Sequence, residues 1–110
     1  MEVLFVSEKV RGAFSSHRVL EKGWGKTGAK KIALRLQQLA AAPTLADMRQ
    51  LPGRCHELTG DRQGHLAVDV DHPYRLIFRP TANPSPKKPD GGLDWTKVES
   101  ITVIEIVDYH

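Results

Sequence analysis

The sequence predicts an α+β domain, with N-terminal helices packed on one face of a small, twisted, mainly antiparallel sheet. Three observations lead there. Apolar residues recur at helical spacing in the first half of the chain, and at period two between His65 and Arg79. A last run, Val98–Val107, is apolar on both faces, as a central strand requires. Helices followed by hairpin-forming strands are the pattern of a layered α+β fold. The 110 residues fit one domain spanning 1–110, and 40% hydrophobic with 26% charged residues is ordinary globular composition.

The elements follow in order. Residues 2–6 read as a short apolar strand. Ser7 offers an N-cap oxygen, and Glu8 suits the positive end of a helix. Val10, Phe14 and His17 share one helical face, and Gly23 and Gly25 around Trp24 end that segment. A second helix fits Lys26–Ala42. Ala29, Ile32, Leu36 and Leu39 form its apolar stripe, with Lys30, Lys31 and Arg35 to the side. Pro43 stops it. Thr44, answered by Asp47, caps a short helix that runs to about Gln50 and is closed by Pro52-Gly53.

The second half changes period. Leu66, Val68 and Val70 line one face of a strand, and Asp71-His72-Pro73 makes a turn. Tyr74, Leu76 and Phe78 then alternate with Arg75, Ile77 and Arg79, which completes a hairpin. Pro80–Thr96, rich in Pro, Gly, Lys and Asp, reads as a long loop before the last strand. Its plainest reading is a disordered insertion.

Charge is unevenly placed. The net charge is +3, but residues 1–40 carry +5 and residues 41–110 carry −2. A basic first half attracts polyanions or an acidic protein segment. No apolar run is long enough to span a bilayer. The first residues lack a basic n-region, so a signal peptide is not expected. One cysteine, Cys55, rules out an internal disulfide, and the reducing cytoplasm is the expected compartment. No nucleotide, metalloprotease or nucleophile-elbow motif occurs, so no cofactor is expected. His56, His65, His72 and His110 lack ligand spacing, so no metal is expected either.

Two clusters carry chemistry. One is His56-Glu57-Leu58-Thr59-Gly60-Asp61-Arg62-Gln63-Gly64, which leads into the hairpin and Tyr74-Arg75. The other is Asp108-Tyr109-His110. Cutting RNA through its own 2′-OH needs a group to take that proton, a group to protonate the leaving 5′ oxygen, and cations for the phosphate. His56, Asp108, Tyr109 and His110 suit proton transfer. Arg62, Arg75 and Arg79 suit the phosphate, because guanidinium matches its oxygens bidentately. Each residue also has a plainer structural role: a turn at Asp61, a salt bridge at Arg75, a frayed end at His110.

The segment HELTGDRQGHLAVDVDHPYRLIF, followed by VIEIVDYH, resembles the HigB branch of the RelE/ParE toxins, also described as plasmid-maintenance killer proteins. The matched segments cover roughly a third of the chain directly. The resemblance implies a RelE/ParE-like fold that enters the ribosomal A site and cuts mRNA there. It implies a HigA-type helix-turn-helix antitoxin as partner, in a toxin–antitoxin heterotetramer, and no membrane association. His56, Asp108, Tyr109 and His110 match the family's catalytic residues, and Arg75 its phosphate-contacting arginine. Thr59 stands where some members carry Lys. The Pro80–Thr96 loop exceeds that of the shortest members, and brings Lys87 and Lys88 as candidate RNA contacts. Fold does not fix function. A ParE-like binder of DNA gyrase and a degenerate RNA- or protein-binding domain are the competing expectations.

Overall fold

A computed structural model of the chain describes residues 1–108. Strand β1 (Glu2–Phe5) leads into helix α1 (Glu8–Ala13), whose start is fixed by Ser7 Oγ accepting from Val10 N at 3.1 Å. Helix α2 (His17–Ala41) has its own cap, Ser16 Oγ accepting from Val19 N at 3.2 Å. The expected face of Val10, Phe14 and His17 is therefore divided between two helices. Ser15 and Ser16 are the cause, since serine hydroxyls compete for local backbone bonds: Ser15 Oγ donates to Gly12 O at 2.8 Å, and Ser16 restarts the helix. Gly25, at φ 74° and ψ 176°, is outside helical geometry, so α2 is two helical segments meeting at a kink, and the second runs on to Ala41, close to the expected Lys26–Ala42.

After α2 comes a 3-10 turn at Leu45–Gln50, entered as predicted: Thr44 N donates to Asp47 Oδ2 at 3.0 Å. Then follow β2 (His56–Glu57), a 3-10 turn at Gly60–Arg62, β3 (Leu66–Asp69), β4 (Tyr74–Pro80), a 3-10 turn at Trp95–Lys97 and β5 (Ser100–Asp108). The sheet order is β1-β5-β4-β3-β2. β1 pairs with β5 in parallel and every other pairing is antiparallel. β5 is an interior strand between β1 and β4, with β4 in the middle of the sheet, and a bulge between them at Ile77/Phe78 shifts the register.

The alternation in β3 and β4 has the consequence the sequence predicts. Leu66, Val68, Leu76 and Phe78 face the helices and join Ile32, Leu39, Leu45, Met48, Ile101 and Val103 in the main core. On the other face Leu58, Ala67 and Ile77 form a small second cluster, with Ile104 and Val107 against it. No α-helix packs on that face among the described residues. Among the described residues, no helix is long and apolar enough to cross a membrane.

The long loop is not a loose insertion. Lys87 bridges to Leu93, Lys88 N donates to Gly92 O at 2.7 Å, and Trp95 is buried. The Trp95 indole N–H donates to Glu57 Oε2 at 3.0 Å, and the Arg49 guanidinium lies 4.1 Å from its ring centre. One aromatic anchor thus ties the loop's end beneath the sheet edge.

Candidate functional site

Of the expected site residues, His56, Arg75 and Arg79 lie on the helix-free face, and pairing register defines its rows. His56 lies opposite Ala67, Ala67 opposite Ile77, and Ile77 opposite Glu105. Two residues toward the β3–β4 turn, Asp69 lies opposite Arg75, and Arg75 opposite Val107. Two residues the other way, Arg79 lies opposite Thr102. Residues opposite one another share a face, so His56, Asp69, Arg75, Arg79 and Glu105 all project to the same side.

Asp69 organises the end near the turn. Its Oδ2 accepts from Arg54 Nε at 2.8 Å, and its Oδ1 lies 3.0 Å from Arg75 Nε. Asp69 is itself pinned. Its N–H donates to Gly53 O at 2.7 Å, and its carbonyl accepts from Arg35 Nε at 2.7 Å. Gly53 is required there. It has φ 111°, and a Cβ would sit 2.8 Å from both Arg35 Nε and Val68 Cγ2. Arg54 itself adopts φ 51°, a strained value for a side chain with a Cβ. The carboxylate of Asp69 raises the pKa of the Arg54 guanidinium, first by the hydrogen bond and then by its charge.

Around this pair lies a cleft of about 340 Å³ lined by Lys31, Arg54, Arg75, Asp69, His72 and Tyr74 among others. Lys31 reaches it from α2 and pairs with Asp71 at 3.3 Å. The kink at Gly25 belongs to the same construction: Trp24 meets Tyr74 edge-on, with ring centres 5.0 Å apart. Asp108 lies opposite Tyr74, at the end of β5 nearest the cleft. Tyr109 and His110 lie outside the described residues.

His56 has a defined proton. Its Nδ1 lies 2.6 Å from Arg54 O. A carbonyl only accepts, so Nδ1 carries the hydrogen and the neutral ring keeps its lone pair on Nε2. His56 and Asp108 are not neighbours, however. Three strand spacings and three residue steps separate them, roughly 17 Å of backbone. Asp108 also shares the helix-side row of Tyr74, whereas His56 is on the open face.

The other two arginines sit elsewhere. Arg62 is held by Glu105 Oε2 at 3.3 and 3.4 Å from its two terminal nitrogens. Arg79 stands four residues along β4 from Arg75, roughly 13 Å away. Between them is His65, whose pKa is lowered by burial and by the charges of Arg62 and Arg79, against an opposing pull from Glu105. Burial pushes the Cys55 thiol up to about 12, despite Arg49 nearby, which disfavours the reactive thiolate. Among the described residues, no group of three or more His, Cys, Asp or Glu is placed to hold a metal.

Sequence reasoning missed Asp69, Arg54 and Lys31 as parts of the cleft. Asp69 had a visible signal: it is the one acid inside the alternating Leu66–Val70 run, on the face opposite the apolar side chains.

No family model matches the chain, and no curated protein matches it. Solved structures do. A YoeB/ParE toxin from Agrobacterium tumefaciens superposes with a TM-score of 0.59 at 13% identity, covering 100% of both chains. A YoeB–YefM complex from Staphylococcus aureus gives 0.55 at 16% identity, over 100% of this chain and 97% of the other. A heterotetrameric YoeB–YefM toxin–antitoxin complex from the same organism gives 0.56 at 14%, with the same coverage. The α+β fold of this chain is that of the YoeB/ParE toxins.

Proposed function

We propose that this chain is the toxin of a toxin–antitoxin pair, of the HigB kind, and an endoribonuclease that cuts mRNA on the ribosome in the cytoplasm. One observation carries the reading: three cations, Lys31, Arg54 and Arg75, converge on a cleft where the Asp69 carboxylate fixes two of them in place. Preorganised cations of this kind stabilise charge that develops on a phosphate. The RNA's 2′ oxygen attacks the adjacent phosphorus, the bond to the 5′ oxygen breaks, and a 2′,3′-cyclic phosphate forms. Arg75 holds the phosphate oxygens. Asp108 ends the strand beside Arg75, and Asp108, Tyr109 and His110 serve proton transfer. His56 Nε2 is a proton acceptor on the flank, and takes part where the RNA runs across the face from β4 to β2. Arg62 and Arg79 contact phosphates farther along the strand. A HigA-type antitoxin neutralises the toxin, in a heterotetramer of the sort described for the S. aureus YoeB–YefM pair.

A second reading has its own observation. The separation of His56 from Asp108 suits a ParE-like surface that binds gyrase and performs no RNA chemistry. The purified chain is to be incubated with programmed ribosomes and, separately, with gyrase and supercoiled DNA. A new message end within the A-site codon supports the nuclease. Intact message with inhibited gyrase supports the binder.

A further inference from the structure

At the far end of the open face, away from Arg75, two cavities share a wall. One, of about 220 Å³, is lined by Glu57, Gly64, His65, Lys87, Gly92 and Leu93 among others. The other, of about 340 Å³, lies among His65, Arg79, Pro80, Asn83 and Ser85. Both contain Gln63, Gly64, His65, Pro80 and Ser85. The long loop forms the outer side of each, so the space exists because Trp95 anchors that loop beneath the sheet edge.

His65 is the common feature. Its backbone is locked on both sides: its N–H donates to Arg62 O at 3.0 Å and its carbonyl accepts from Leu58 N at 2.9 Å. Its Nδ1 is shut off from solvent and has no hydrogen-bond partner among the described residues. A buried polar atom left unsatisfied costs stability and calls for an explanation. The walls combine cations (Arg79, Lys87), hydroxyl and amide groups (Ser85, Asn83), backbone amides at glycine, and apolar surface (Pro80, Leu93). That mixture suits a phosphate joined to a flat, partly apolar ring with polar edges.

We propose that this double cavity is a second nucleotide subsite, taking one nucleoside monophosphate unit of a single RNA strand, with the phosphate toward Arg79 and Lys87 and the base against His65. The inference rests on the RNA-directed reading of the open face, and gives that strand a direction: from the Arg75 cleft along β4 to the loop. With Nδ1 shut off, a neutral ring has Nε2 alone to meet a base edge, and the lowered pKa of His65 fits that role. An acidic peptide is the rival occupant. It would use the cations but leave the ring and Leu93 without a partner.

The test is a nuclear magnetic resonance titration of the full chain with adenosine 5′-monophosphate, which cannot be cut. Saturable shifts are expected at the His65 ring and at the Gly64 and Gly92 amides. His65→Phe should weaken binding about tenfold, as loss of one specific hydrogen bond does. Lys87→Ala, an exposed change that spares the fold, should weaken it several-fold. Inorganic phosphate alone should bind more weakly than the nucleotide. No saturable shift, equal binding of phosphate, or tighter binding of an acidic hexapeptide overturns the subsite. Because no bond is cut, nucleotide binding without cleavage would overturn the nuclease reading alone, and cleavage without nucleotide binding the subsite alone.

Discussion

The two faces of one sheet have opposite economies. Toward the helices, β3 and β4 present Leu66, Val68, Leu76 and Phe78, all buried without a polar atom among them. Away from the helices the same strands present Asp69, Arg75 and Arg79, interrupted by Ala67 and Ile77. Strand alternation alone produces both faces. The first face builds the scaffold, and the second spends the rigidity of the first on holding charges in fixed places. Asp69 shows this, with its backbone bonded to Gly53 and Arg35 while its carboxylate holds Arg54 and Arg75.

The comparison breaks most readily on the scaffold side. Phe78 is fully buried in the main core, so Phe78→Ala should lower unfolding free energy by about 3–5 kcal/mol. Denaturant unfolding followed by circular dichroism measures it. A loss under about 1 kcal/mol would mean that burial on the helix face is not what stabilises the fold.

A finer contrast is available on the open face through pH. The folded chain holds His65 below its ordinary 6.5, chiefly by burial and then by Arg62 and Arg79. Just below that pH the unfolded chain therefore binds a proton that the folded chain does not. Stability should fall as pH drops through about 6.5 and level off below the folded value. His65→Gln should flatten that part of the profile. An unchanged slope would assign the acid sensitivity to another group.

Most of this architecture was legible because its signals are local. Period two placed β3 and β4, apolar residues on both faces marked β5 as an interior strand though not the middle one, and Thr44 with Asp47 located the turn after α2. The boundary between α1 and α2 was not, since Ser15 and Ser16 stand at helix-compatible spacing and only capping geometry reveals the restart. The parallel pairing of β1 with β5 joins the two ends of the chain, where periodicity says nothing. For the site, the residue types were readable but their distances were not. His56 and Asp108 look like partners in sequence, yet register puts three strand spacings between them. Arg62, which looks available in its Gly-Asp-Arg turn, is held by Glu105, 43 positions away.

The most direct measurement compares two arginines on one strand. Arg75 sits in the cleft beside Asp69, while Arg79 belongs to the other end of the open face. Single-turnover cleavage of ribosome-bound mRNA by the parent chain, Arg75→Ala and Arg79→Ala should be read by primer extension, with circular dichroism to confirm that each variant is folded. The account predicts that Arg75→Ala slows cleavage on the order of 10²-fold or more and Arg79→Ala much less. Equal, small effects at both positions, in folded variants, would contradict it and move the cut phosphate away from the Asp69–Arg75 cleft.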